Sequence, residues 1–332
     1  MAGRRPRAFR GRRLGQPVAS IQVDVTSLSS LVVRRALAAS AGCAVLLVAV
    51  YLLAVQTRPG QRFEDLVLRA AERAGGGGDT PAVRVLGTIT AFSVFGLAAI
   101  VVAIGALRRR PLLAGLATCV IAASVLTTEV IQRSLLRPLL LESGRRREDQ
   151  SFPSGHAAVA MAILCALVLV VPYRWRIPVL LFGSPWATAV GVATVSANWH
   201  RPSDALGSDL IVLGYTCLAI AVIARRGSVR PAMPRTTPGR VAGVVLTMAY
   251  AVAVLAAVCG MVAGSPYTAG RAIALAGSAA VLLTLLAVLS HLDLTPSAAP
   301  GHSSRVSRLA DGRLRQARGR TQPGDPGSHR RP

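Results

Sequence analysis

The stretch SFPSGHAAVAMAILCALVLVV, residues 151–171, decides how this chain is read. It begins with a proline, a hydroxyl and a glycine leading to His156, and continues as an unbroken apolar run. A capping serine followed by such a run is the pattern of a helix entering hydrocarbon. An ionisable side chain at that depth is energetically unfavourable, so His156 points to function rather than packing. A second stretch repeats the arrangement. NWHRPSDALGSDL, residues 198–210, sets His200, Arg201, Pro202, Ser203 and Asp204 immediately before another apolar run. Two apolar blocks, 156–173 and 177–197, lie between the motifs and carry the chain across the bilayer and back, which brings both histidines to the same side.

Working outward, the rest of the chain has the same character. Hydrophobic residues make up 52% of the sequence and aromatic ones only 4%, and the apolar residues fall in long blocks nearly free of charge. About 20 apolar residues are needed to cross a hydrocarbon core of roughly 30 Å. Eight blocks meet that need, at about 36–55, 85–107, 111–131, 156–173, 177–197, 204–224, 241–263 and 271–290. The expected fold is therefore all-α: a polytopic membrane protein of about eight transmembrane helices. A soluble core of eight helices apolar all round would have nothing to cover it, and we set that reading aside.

The net charge is +24, and all 38 basic residues are arginine. Arginines crowd the N-terminus, the turn Arg108-Arg109-Arg110, the pair Arg174 and Arg176, the segment Arg225 to Arg240 and the tail from Arg305. With eight spans in order these fall on one side, and basic loops stay cytoplasmic. Both termini are thus expected in the cytoplasm of a cell whose cytoplasmic membrane holds the chain, with both histidine motifs facing outside. The charge is a topology signal and calls for no nucleic-acid partner. All five cysteines, Cys43, Cys119, Cys165, Cys217 and Cys259, fall in apolar blocks, which argues against a disulfide framework or a metal site.

Five segments follow. Residues 1–30 form a basic, disordered N-terminus; 31–225 a six-helix membrane domain carrying every candidate functional residue; 226–240 a cytoplasmic linker; 241–292 two plain Ala- and Val-rich helices read as a peripheral addition; and 293–332 a basic, disordered tail. Between the first two spans, Phe63, Leu66, Val67 and Ala70 alternate with charges at helical spacing, the signature of a short amphipathic helix on the outer surface.

One outer loop departs from the charge rule. Arg133, Arg137 and Arg145-Arg146-Arg147 gather there, partly offset by Glu142, Glu148 and Asp149. For the triple arginine, a solvated loop with internal ion pairs is a reading at least as good as a functional one. Arg137, which precedes Pro138 at the mouth of the third span, stands apart because the Ser-Gly-His turn follows closely. Pro153-Ser154-Gly155-His156 would present free helix N–H groups to an anion. His200 and Asp204 stand one helical turn apart, so the carboxylate can hold one imidazole nitrogen and raise the basicity of the other.

These residues carry a resemblance. Arg137-Pro138, then Pro153-Ser154-Gly155-His156, then His200 with Asp204 resemble, in order and side, the three motifs of the type-2 phosphatidic acid phosphatase superfamily, the membrane relatives of vanadium haloperoxidases. The resemblance covers about residues 30 to 225 and implies a six-helix phosphatase core with two C-terminal helices added. The chain departs from the family pattern at two positions. The family's first-motif Lys has no counterpart, Gln132 and Arg133 being the nearby polar residues, and the third motif's Arg is replaced by Thr194.

The resemblance implies roles. His200 would be the nucleophile, Asp204 its orienting carboxylate and His156 the acid and base. Arg137, Ser154, Gly155, Arg201 and Arg133 would hold the phosphate, the last two substituting for the missing cations. It further implies hydrolysis of a lipid phosphate monoester or diphosphate through a phosphohistidine, with no cofactor, no metal and no obligate protein partner. The alternative is a non-catalytic lipid-phosphate binding protein or transporter on the same fold, with Glu129 and Asp209 forming a polar pathway.

Overall fold

The computed structural model describes residues 25–76, 78, 80–135, 137–141, 151–231, 264–289 and 292–294, with isolated helical positions at Met248, Ala251, Leu255 and Cys259. Within these residues the protein is an all-α bundle. Helix α1 spans Val25–Val50 and continues as a π-helical turn, Tyr51–Val55. There follow α2 (Arg58–Arg73), α3 (Pro81–Gly87), α4 (Ala91–Leu107), α5 (Pro111–Ser134), α6 (Gly155–Val170), α7 (Arg176–Ser196), α8 (Pro202–Arg225) and α9 (Pro266–Leu289). Two-residue strands β1 (Arg230–Pro231) and β2 (Leu292–Asp293) pair antiparallel.

The helix starts are written locally. Proline lies within the first two positions of α2, α3, α5 and α8, where its fixed φ fits and its missing N–H is no loss. Thr57, Thr80 and Thr90 cap α2, α3 and α4 by accepting from the backbone N–H of Gly60, Val83 and Ser93.

Five helices are long and apolar enough to cross a membrane: Leu28–Val55, Pro111–Ser134, Tyr173–Ser196, Pro202–Arg225 and Pro266–Leu289. The pair α3 and α4, bent by 57°, makes a sixth if it counts as one span. The expectation of eight is thus not met among the described residues. Helix α6 falls short at 16 residues, about 24 Å of helix. It runs through the middle of the bundle, and Ala160 through Cys165 are all at most 1% exposed, so protein rather than lipid covers it. The block 241–263 lies outside the described residues apart from the isolated positions.

Helix α9 is part of the main body rather than a peripheral addition. It packs on α2, α7 and α8, and the Ser278 hydroxyl donates to Asp209 of α8 over 3.0 Å. Helix α2 likewise differs from a helix lying free on a membrane surface. Its buried face, Gln61, Glu64, Val67, Leu68 and Ala71, presses into the protein, and Gly270 of α9 takes the Val67 side chain directly against its backbone. A β-carbon at that position would collide with the Val67 methyls.

The bundle has two chemically different ends. Tyr51, α2, the segment 137–141, the turn 151–154 and the loop before α8 meet at one end, where the Tyr51 and Phe152 rings lie 5.7 Å apart. At the other, Arg108 donates to the Val170 carbonyl, Arg176 to the Leu292 carbonyl over 2.6 Å, and β1 pairs with β2. These arginines satisfy carbonyls that end helices or strands, which a membrane-embedded chain must pair internally.

Gly270→Val tests the α2–α9 contact. Overpacking of this kind is destabilising by about 1–3 kcal/mol. The variant in detergent should therefore unfold at a lower temperature than wild type, whereas Gly87→Ala, with no atom near its added methyl group, should not.

Candidate functional site

The site is built where the N-termini of α6 and α8 meet. The Ser154 N–H donates to the Asp204 carbonyl over 2.9 Å, and the Ser208 hydroxyl reaches the carbonyls of both Ser154 and Asp204, at 2.6 and 2.9 Å. Gly207 permits this approach, since a β-carbon there would lie 2.7 Å from the Phe152 ring. From α5, the Gln132 amide donates to the carbonyls of Pro153 and Ser151. The turn carrying His156 is therefore held from two sides.

His200 follows α7 in a tight turn, its backbone N–H and that of Trp199 both donating to the Thr194 carbonyl. Its Nδ1 lies 3.3 Å from Asp204 Oδ2 and 3.2 Å from the Ser151 carbonyl. Both neighbours accept only, so Nδ1 carries the proton and Nε2 keeps its lone pair. Asp204 is fully buried and also accepts from the Arg201 backbone N–H at 2.9 Å, so one carboxylate both caps α8 and orients the imidazole. His156 stands at the second position of α6, its ring edge-on to Trp199 with centroids 5.6 Å apart, and lies within electrostatic range of His200.

Two arginines lie at the same end of the bundle. Arg201, 5% exposed in its side chain, donates to Ser151 Oγ over 3.1 Å. Arg137, at 11%, forms an ion pair with Glu64 of α2. The Arg137 and Arg201 charges interact, and burial and that mutual repulsion lower the Arg201 pKa against the pull of Asp204, Glu64 and Asp65. Glu64 Oε2 lies 4.0 Å from Arg201 Nε, and Asp65 Oδ1 3.9 Å from its Nη2. Beside this cluster a cavity of about 580 Å³ opens against α2, lined by Arg58, Arg62, Asp65, Leu66, Arg69, Leu140 and Leu141.

His156, His200, Asp204, Arg137, Arg201, Ser154 and Gly155 are thus brought to one end of the bundle. The Ser154 hydroxyl is fully buried and accepts from the Ala157 N–H as a helix cap, which leaves the backbone N–H groups of Gly155 and His156 as the free donors of that terminus. Arg133 is not brought in. Its side chain is 77% exposed and pairs with Glu129 over 2.5 Å, one turn back on α5. Thr194 turns its hydroxyl onto the Gly191 carbonyl of its own helix at 2.7 Å. Glu129 and Asp209 face different neighbours, Arg133 and Ser278. Arg145-Arg146-Arg147 lie outside the described residues.

Glu64, Asp65, Ser151 and Gln132 join the site without having been singled out as members of it. Glu64 had a legible signal: a carboxylate at helical spacing with Gln61, Val67, Leu68 and Ala71, on the face of α2 that is otherwise buried. Ser151 had none, since its role depends on a carbonyl direction.

Residues 110–230 match the family model described as the PAP2 superfamily, the family that the three motifs resemble. The matched segment runs from the N-terminus of α5 through α8, and it supports phosphatase activity on phosphate esters as the class of reaction. No curated protein and no solved structure matches the chain.

The Arg137–Glu64 pair has a measurable signature. Removing one partner of a buried ion pair destabilises by about 3–5 kcal/mol, because the other charge remains buried. Arg137→Gln should accordingly lower the unfolding temperature of the detergent-solubilised protein, and adding Glu64→Gln should restore most of the loss.

Proposed function

We propose that this protein hydrolyses a lipid phosphate monoester or diphosphate at the outer face of the cytoplasmic membrane, through a phosphohistidine. The observation that carries the reading is the disposition of His200. Its Nδ1–H is tied to Asp204 and Ser151, which leaves a nucleophilic Nε2 within the cluster of His156, Arg137 and Arg201.

His200 Nε2 attacks phosphorus, the P–N bond forms and the P–O bond to the leaving group breaks. Asp204 stabilises the positive charge that develops on the imidazole. Protonated His156 gives its proton to the departing oxygen, then takes one from water as that water attacks phosphorus and the P–N bond breaks. Arg137, Arg201 and the N–H groups at the start of α6 hold the non-bridging oxygens, on which transition-state charge concentrates. Each step uses protein groups alone, so chelators should leave the rate unchanged.

Two features support a lipid substrate. The site end lies at the mouths of apolar helices, and a groove of about 220 Å³ runs between α1, α5 and α8, lined by Cys43, Leu47, Thr127, Leu210 and Gly214 among others. It begins roughly 9 Å along α8 from Asp204, at about 1.5 Å per residue, a depth suited to an acyl or prenyl chain. The arginines gathered at the opposite end support an outward-facing site with both termini in the cytoplasm. A non-catalytic lipid-phosphate binder or transporter is the competing reading, favoured by Thr194 standing where the family has a cation.

Phosphate release from a panel of lipid phosphates separates the two. His200→Ala and His156→Ala should each lower turnover by at least about 1000-fold, and Asp204→Asn by less, because Nδ1–H keeps the Ser151 carbonyl as acceptor. Saturable binding without turnover by the wild-type protein would instead establish the binder. A reporter fused after Arg240 should be active only in the cytoplasm; an outward signal would overturn the orientation.

A further inference from the structure

Glu64 is the one acidic side chain of α2 that is almost wholly buried, at 2% exposure. It lies outside the segment that matches the family model, on a helix that packs over the site from α9. Its Oε2 is shared between Arg137 and Arg201. Among the described residues, Glu64 Oε1, Arg137 Nη1 and Arg201 Nε are all buried without a hydrogen-bond partner. Two guanidinium groups with spare donors meet at Glu64, and one of them shares Ser151 with His200, which together form a seat for a tetrahedral oxyanion. In this structure a carboxylate of the protein occupies it.

We propose that Glu64 is a specificity-determining residue of the phosphate site: its carboxylate stands where a non-bridging phosphoryl oxygen binds, and a substrate must displace it from Arg137 and Arg201. The proposal rests on the reading of this cluster as a phosphate site. The charges agree with displacement. With neutral histidines, Arg137 and Arg201 face Glu64, Asp65 and Asp204, so the cluster is net negative while Glu64 is ionised and balanced once its charge is removed. Burial pushes the Glu64 carboxyl above its ordinary range despite the pull of Arg137, and Asp204 adds to that rise. The consequence is discrimination. Only a head group that makes more bonds to both arginines than one carboxylate does will open the seat, which selects terminal phosphoryl groups with three free oxygens over phosphodiesters with two. Phosphodiester head groups are the abundant anions of a lipid surface, and Glu64 keeps them off the arginines.

Binding of inorganic phosphate and orthovanadate to the full-length protein in detergent tests this by calorimetry, together with inhibition of binding by a short-chain phosphodiester lipid. Glu64→Gln should tighten oxyanion binding at least about tenfold, equivalent to roughly 1.4 kcal/mol, and should let the phosphodiester compete. Glu64→Asp, which keeps the charge and shortens its reach, should fall between and serves if the glutamine variant does not fold. Asp65→Asn, which removes an equal charge paired with Arg201, should change affinity less than about threefold. Unchanged or weaker oxyanion binding in both Glu64 variants, with binding intact in wild type, would overturn the proposal and make Glu64 a positioning residue for Arg137, leaving the phosphatase reading in place. An equal effect of Asp65→Asn would overturn it in favour of general electrostatics. Absence of oxyanion binding in wild type and every variant would overturn the phosphate site itself and the proposal with it.

Discussion

Everything at the functional end of this bundle depends on one backbone contact, the Ser154 N–H donating to the Asp204 carbonyl, reinforced by the Ser208 hydroxyl bridging both residues. In hydrocarbon a helix terminus cannot leave its polar groups to water, so two termini at the same depth are most stable when they satisfy each other. That constraint locks the start of α6 to the start of α8. It places His156 and His200 within each other's field and makes the carboxylate that caps α8 the same one that fixes the imidazole tautomer.

The arginines extend this logic. A buried guanidinium needs a counter-charge, and a membrane bundle offers few. Here the counter-charge comes from α2, a helix that sequence periodicity correctly marks as amphipathic but whose buried face meets protein, not lipid. Glu64 turns a surface helix into part of the site. The opposite end of the bundle solves a similar problem differently, with Arg108 and Arg176 closing off the carbonyls of Val170 and Leu292. One residue type therefore pairs with carboxylates at one end and caps carbonyls at the other.

Of the two arginines read as substitutes for residues of the family pattern, Arg201 lies in the cluster and Arg133 does not. Arg201 follows His200 directly and is carried into the cluster by the turn that positions the imidazole. Arg133 lies on α5 with Glu129 one turn before it, and the helix directs that pair away from the site. Its neighbour Gln132 takes the inward position and braces the turn 151–153. A one-residue difference on a helix is a rotation of about 100°, enough to separate a site residue from a surface one.

Sequence alone determined the elements whose causes are local. Apolar block length, proline at helix starts, the hydroxyl caps and the i, i+4 spacing of His200 and Asp204 are properties of short segments, and the all-α fold, the two histidine motifs and the resemblance to the family follow from them. Only the tertiary structure decided what those elements face. The burial of Glu64 against Arg137 and Arg201, the inclusion of α9 in the main body, the short α6 held inside protein, and the departure of Arg133 all depend on contacts between segments distant in the chain. Periodicity tells which residues share a face, but the partner of that face is set by packing, and in a membrane bundle lipid and protein are equally apolar candidates for it.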